Sequence, residues 1–381
     1  MDKDILIIGG GPAGLSTALH LQHTAPDLIH RILVLEKAHY PRHKLCAGGL
    51  VQDAEVILQG LGLDVNEIPH VYSHVTHFDF AGKGLTIRLP GKRSTLRIIR
   101  RDEFDAWLAT KARQRGIEIR EDVTILSVKP DESGVTVETS TGPLRAQLVI
   151  GADGSNGITR RCILPQEPLC TARVLEVISP PNSNSQHPAD EAFFDFAPVP
   201  KGIAGYTWDF PTQLKGQPAR CWGIYDSNIL ARNHRAGLKE TLATEMARFG
   251  YHMEDLELKG YPIRWFTPMT KICVPRVLLV GDAAGTDPFF GEGISMALGY
   301  GKLAAQELEI AIKQGNYSFN HYQRRLLFSP LGQTLIVRWL IAYLIYSLQW
   351  KWFQFLLWRL LKPIVILVAW LCVLNWAKRM H

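Results

Sequence analysis

Between His321 and His381 the chain has no aspartate and no glutamate, although it has 36 of them in all. The same stretch carries eight lysines and arginines: Arg324, Arg325, Arg338, Lys351, Arg359, Lys362, Lys378 and Arg379. That leaves the first 320 residues with 34 basic and 36 acidic side chains, so the net charge of +6 belongs to the tail and not to the body. A nucleic-acid-binding surface is therefore not expected. The six cysteines (46, 162, 170, 221, 273 and 372) form no C-x-x-C pair and no metal-like spacing with histidine. This argues against zinc, against a disulfide framework and for a reducing compartment. A secretory leader is not recognisable either. MDKDILIIGGG places two acids before four apolar residues that run straight into glycines, and a cytoplasmic protein is expected.

What is present is ample apolar material, 46% of 381 residues, enough for two or three packed units. The opening reads as a βαβ unit: a buried strand at Ile5–Ile8, a helix at Pro12–Thr24 and a second buried strand at Ile32–Leu35. A helix is expected near Val51–Leu61, strands at His74–Phe80, Leu85–Leu89 and Thr95–Ile99, and a helix over Arg101–Gly116. Ile117–Val128, Val135–Thr139 and Leu144–Ile150 read as three strands. Pro180–Pro200, with its run of Pro, Asn and Ser, reads as loop. Further helices are expected at Leu238–Phe249 and Ile294–Lys313, with a buried strand at Val277–Val280. No internal repeat is found.

Gly205–Pro211, GYTWDFP, puts Tyr206, Trp208 and Phe210 at every second position, which lines three rings along one face of a strand. Pro211 is expected to end that strand, because it has no N–H to give a ladder.

Three glycine–acid sites carry the chemistry. Gly9-x-Gly11-x-x-Gly14 lies between a strand and a helix, with Pro12 and Ala13 at the turn. Its glycines permit a tight turn and close backbone approach to a pyrophosphate, and the helix N-terminus faces the phosphates. Glu36 ends the next strand, with Lys37 behind it, where a carboxylate can accept bonds from ribose hydroxyls. The second site is LVIGADGSNG (148–157), which sets Asp153 at a strand's carboxyl end. The third is VLLVGDAAG (277–285), with Asp282, followed by Gly291-Glu292-Gly293 and Ile294 at the start of a helix.

Taken together, these sites resemble the flavoprotein hydroxylase superfamily over roughly residues 1–315. The resemblance implies FAD, with Asp282 on the ribityl chain and the helix after Gly291, Gly293 and Ile294 aimed at the pyrimidine edge of the isoalloxazine. Arg101, in RRDEFDAWL, matches that family's Arg-x-x-Phe-Asp segment and is implied to approach the cofactor. No second GxGxxG is present, so NAD(P)H or another external carrier is implied as the reductant. The fold class expected is α/β. A Rossmann-like FAD-binding domain (1–73, 97–165 and 272–320) holds an inserted β-rich substrate domain (74–96 and 166–271), and a C-terminal helical segment (321–381) follows.

Two segments narrow the resemblance. Lys44-x-Cys46-Ala47-Gly48-Gly49 is similar to the K-x-C-G-G segment of geranylgeranyl reductases, with alanine for the first glycine. Tyr206-Thr207-Trp208-Asp209-Phe210-Pro211 matches their Y-x-W-x-F-P motif, where flavin-dependent halogenases have W-x-W-x-I-P. The function implied is FAD-dependent reduction of carbon–carbon double bonds in a polyprenyl lipid, with Tyr206 and Trp208 along the substrate cavity. A flavin monooxygenase or epoxidase of an apolar lipid, and a non-catalytic flavin- and lipid-binding protein, are the alternatives. Cys46 reads either as a small apolar filler between glycines or as a thiol lining the flavin face. No proton donor is identifiable, and the oligomeric state is left open.

Six of ten tryptophans (339, 350, 352, 358, 370 and 376) crowd the acid-free tail. Its apolar stretches, Trp339–Trp350 and Pro363–Trp376, fall short of the ~20 residues that a membrane span needs. Tryptophan favours the headgroup level and lysine or arginine favours anionic lipid, so an interfacial anchor held by eight cations is expected. Since the three glycine–acid sites end by Gly293, the tail is expected to be separable from cofactor binding.

Overall fold

The computed structural model describes residues 3–168, 170–182, 187–230, 236–254 and 256–380. A six-stranded sheet forms the first layer, in the order Cys273–Val274, Val277–Leu279, Leu148–Gly151, Ile5–Ile8, Ile32–Leu35 and Glu118–Arg120. All its pairs are parallel except the hairpin Cys273–Val274/Val277–Leu279. The central strands are buried along their whole length, as a parallel sheet covered on both faces requires. Alternation sorts their side chains. Ile5, Ile7, Ile32 and Val34 face the core shared with helices Pro12–Thr24 and Ile294–Gln314. Leu6, Ile8, Leu33 and Leu35 meet Val128, Val135 and Val137 of a three-stranded antiparallel sheet, Ile125–Pro130, Val135–Thr139 and Gly142–Ala146.

A seven-stranded sheet forms the second body. Its order is Lys259–Arg264, Thr171–Ser179, Gln217–Asp226, Gly205–Leu214, Glu191–Asp195, Val75–Asp79 and Gly84–Arg88. One face carries Val177, Trp222 and Ile224 under Leu242 and Met246 of helix Leu238–Arg248. The other face carries the aromatic wall. A small sheet of Gly49–Leu50, Leu96–Ile99 and His70–Ser73 closes one side.

Several local expectations are corrected. Ile117–Val128 is two strands in two sheets, Glu118–Arg120 and Ile125–Pro130, broken by a turn at Asp122 with φ 59°. Leu144–Ile150 likewise divides into Gly142–Ala146 and Leu148–Gly151. The segment expected as loop from Pro180 contains the strand Glu191–Asp195, and its residues 183–186 lie outside the described residues. Pro211 does not end its strand, which runs on to Leu214. The ladder to Glu191–Asp195 stops at Asp209, while the ladder to Gln217–Asp226 continues past it. Pro211 therefore sits where one side needs no donor.

The tail is helical but is not an appendage. Helices Tyr322–Phe328, Pro330–Ser347, Lys351–Phe355 and Lys362–Val368 follow one another, the last two passing into π-helical turns at Leu356–Leu360 and Ala369–Val373. Trp376 is wholly buried and packs against Gly299 of the long helix, and Asp53 accepts the N–H groups of Asn375 (3.1 Å) and Ala377 (2.8 Å). Trp358 stacks on Phe196 of the second body at 4.0 Å. Of the eight tail cations, Arg338 is buried and Arg359 donates to the Phe80 carbonyl (2.7 Å), so the expectation that all eight serve a lipid surface is wrong.

Candidate active site

One cavity of about 1900 Å³ lies between the two bodies and the tail. It brings together Gly9, Gly11, Pro12, Ala13, Glu36, Lys37, Cys46, Ala47, Arg101, Asp153, Asp282, Gly291, Gly293 and Ile294, with Tyr206 and Trp208 on the far wall. Of the expected residues only Gly14 is missing from the lining. It works from behind: a Cβ there would stand 2.0 Å from the Gly9 carbonyl oxygen, so only glycine lets the helix press against the turn.

Two helices end at the cavity, with Gly11 and Gly293 as N-caps, and no side chain caps either one. Their first N–H groups are free for an anionic or electron-rich ligand. Glu36 accepts the N–H groups of Gly10 (2.8 Å) and Ala38 (3.1 Å), which fixes its carboxylate beside the glycine turn. Arg42 lies 3.4 Å from Glu36 and 3.1 Å from Asp105, and Arg101 grips Asp105 through two bonds of 2.8 and 2.9 Å. Asp105 is fully buried and ties both guanidiniums to the cavity floor.

Asp153 turns out to cap a helix. Its Oδ2 accepts the N–H (2.9 Å) and hydroxyl (3.0 Å) of Thr159, while its buried Oδ1 has no partner among the described residues. Asp282 receives the Ser155 hydroxyl at 3.3 Å. Burial pushes the Cys46 thiol up, against the pull of Arg101, so it stands as a neutral thiol and not as a nucleophile. Lys44, a motif residue with no role expected of it, stands 3.3 Å from the centroid of the Tyr261 ring. Burial lowers its ammonium to about 8, opposed by Asp282.

The aromatic wall holds a loop. Tyr206 donates to the Phe290 carbonyl (2.5 Å), Tyr225 to that of Pro288 (3.0 Å) and Tyr346, from the tail, to that of Phe289 (2.6 Å). Tyr206 is thus a positioning residue. The loop continues into Gly291-Glu292-Gly293, and the Tyr225 ring packs directly against Gly291. Arg338, from the tail, bonds Asp287 (2.8 Å), Glu292 (2.6 Å) and the Val373 carbonyl (3.0 Å). Sequence reasoning missed this contact, and its only signal was a lone charge inside an apolar helix.

A family model described as "FAD binding domain" matches residues 2–315. A menaquinone reductase of Mycolicibacterium smegmatis is 26% identical over 80% of this chain and 75% of its own length. Digeranylgeranylglycerophospholipid reductase 3 of Methanosphaera stadtmanae is 28% identical over 83% and 80%. Among solved structures, a geranylgeranyl bacteriochlorophyll reductase-like protein of Thermoplasma acidophilum superposes with a TM-score of 0.78 at 22% identity, over 99% of this chain and 95% of that one.

Proposed function

The chain belongs to the FAD binding domain family, and we propose that within it this protein reduces carbon–carbon double bonds in the polyprenyl chain of a lipid. The residues present fit FAD: the glycine turn, Glu36, Asp282 and two uncapped helix N-termini face one cavity, where Asp153 has a carboxylate oxygen free. FAD, when bound and reduced, supplies hydride. The chain's own residues seat it, exclude water and align the substrate. The observation that carries the reading is the cavity itself. At about 1900 Å³ it exceeds the roughly 300–1,000 Å³ of an ordinary small-molecule site. It has room for a dinucleotide and a long apolar chain along Tyr206, Trp208 and Phe210. The relatives named as menaquinone and digeranylgeranylglycerophospholipid reductases both point to substrates with prenyl chains. Electrons come from NAD(P)H or another carrier, by transient contact.

Anaerobic incubation of the dithionite-reduced holoprotein with prenyl lipids, read by mass spectrometry, tests this. A product heavier by two hydrogens is expected. A product heavier by one oxygen, formed only in air, would make the protein a monooxygenase instead.

The tail is proposed to rest on the cytoplasmic face of a membrane. No single helix among the described residues is long and apolar enough to cross one; two helix pairs are so only when taken together, and they bend by 71° and 76° at the break. Trp350, Trp352, Phe355, Leu360, Leu367 and Leu371 are exposed, with Arg324, Lys351, Lys378 and Arg379 exposed on the same segment. Leu344, Ile364, Ile366, Val368, Trp370 and Leu374 are both exposed and part of the cavity lining, so the cavity mouth opens on this apolar face. Co-sedimentation with anionic vesicles is expected to weaken but persist at about 1 M salt, where screening shortens the reach of charges to roughly 3 Å. Complete release by salt alone would leave a purely electrostatic contact, and no binding at any salt would reject the anchor.

A further inference from the structure

We propose that Glu176 is the acid that protonates the double bond during reduction, an assignment that rests on the reductase reading above. Glu176 lies on strand Thr171–Ser179 and points to the cavity face of the seven-stranded sheet. It is 6% exposed, and its Oε2 has no hydrogen-bond partner among the described residues. Across the sheet it pairs with Gly223, and Gly223 pairs with Trp208, so the carboxyl and the indole share one row with only a hydrogen atom between them. The neighbouring row carries Val174, Tyr225 and Tyr206, the row whose tyrosines hold the loop ahead of Gly291. Two residues along a strand span roughly 7 Å. The carboxyl therefore stands one row, roughly 7 Å along the strands, from the tyrosines that hold the loop ahead of Gly291, on the cavity wall proposed to take the prenyl chain.

A carboxylate in this place would be costly unless it carried a proton. Burial pushes the Glu176 carboxyl up to about 7, offset in part by the Cys221 thiol, Arg100 and Lys259. The Cys46 thiol also feels its charge. Arg100 and Lys259 are the cations that face it, and Lys259 is its partner on the adjoining edge strand. The group is an acid held near neutrality in an apolar cavity, with a free oxygen.

The chemistry balances. One carbon of the double bond takes hydride from reduced FAD, which is oxidised in turn. The adjacent carbon takes the proton of the Glu176 carboxyl, and the resulting carboxylate regains a proton from water. The sum is one C=C bond converted to C–C with two new C–H bonds.

The test uses FAD-loaded, dithionite-reduced protein in single turnovers with digeranylgeranylglycerophospholipid in detergent, from about pH 5.5 to 8.5. The wild-type rate is expected to fall tenfold per unit once pH rises above the carboxyl's pKa, because the protonated form is the donor. Glu176→Gln should lose about 10²-fold or more in rate and flatten that profile, with FAD content unchanged. Glu176→Asp should keep a partial rate and the pH dependence. Infrared difference spectra of the oxidised protein should show a carboxylic acid band that titrates near neutral pH and vanishes in Glu176→Gln. A Glu176→Gln variant with the wild-type rate and profile, and a product heavier by two hydrogens, would overturn the proton assignment while leaving the reductase standing. If the wild type reduced no prenyl lipid, the reductase reading would fall and this one with it, whatever the infrared titration showed.

Discussion

Arg338→Met is expected to strip FAD from the purified protein and to lower its stability by about 3–5 kcal/mol. Methionine fills a similar volume, so the cost is electrostatic. Asp287 is fully buried and Glu292 partly so, and Arg338 is the cation that bonds both. Without it the buried Asp287 carboxylate is left uncompensated beside Glu292, which lines the cavity, and the loop between them, Pro288 to Gly291, has to move to bring Asp287 to water. That loop leads to the N-terminus of helix Ile294–Gln314, so the end of the helix proposed to seat the flavin is expected to shift with it. Flavin absorbance per polypeptide and the thermal midpoint of the protein measure the two effects. A triple change, Arg338→Met with Asp287→Asn and Glu292→Gln, should recover much of the lost stability, because neutralising a buried triad is often harmless. Full FAD occupancy with an unshifted midpoint in Arg338→Met would show the triad to be idle.

The same contact decides how a truncation behaves. A cut before about residue 333 removes Arg338, Tyr346 and Trp358 together. The carbonyl of Phe289 then loses its donor, and Phe196 loses the ring stacked on it. Such a protein should lose FAD as well as the membrane, contrary to the separable tail that the positions of the glycine sites imply. Seating of the tail and of the cofactor is expected to be lost together, because helix Pro330–Ser347 carries both an exposed apolar face and the buried guanidinium.

What was legible in the sequence was local. The glycine turn with Glu36 needs only a strand, a turn and a helix in succession, and the wall at Tyr206, Trp208 and Phe210 needs only the two-residue period of a strand. What was not legible depends on partners far along the chain. Arg338 reads as a lipid-facing cation until Asp287 and Glu292 are brought to it across some 50 residues. Glu176 offered a clue, since Ala172, Val174 and Ile178 alternate with it along an otherwise apolar face. An acid in such a row is either solvated or held for use, and only the pairing with Gly223 and Trp208 shows which face is the cavity. Pro211 was misread for a related reason: whether a proline ends a strand depends on where the neighbouring ladder stops.

Trp208→Ala is the other large change expected, and its interest lies in what survives. The ring is 5% exposed, and removing a buried tryptophan costs about 3–5 kcal/mol when the void stays empty. Here the void opens into the substrate cavity. The loop at Phe290 is held by Tyr206 and Tyr225, not by Trp208, so FAD should remain bound. Turnover of a geranylgeranyl chain should drop severalfold or more through kcat, because a chain no longer pressed along the wall places its double bond loosely. A short geranyl chain, which uses less of the wall, should suffer less. Gly223→Ala perturbs the same ring from the other side, since a Cβ there would stand 2.0 Å from the indole and drive it into the cavity. That variant should narrow the channel and penalise the long chain through KM. If Trp208→Ala lost FAD in step with activity, or treated long and short chains alike, the indole would be a core filler and the wall would have no part in reading the substrate.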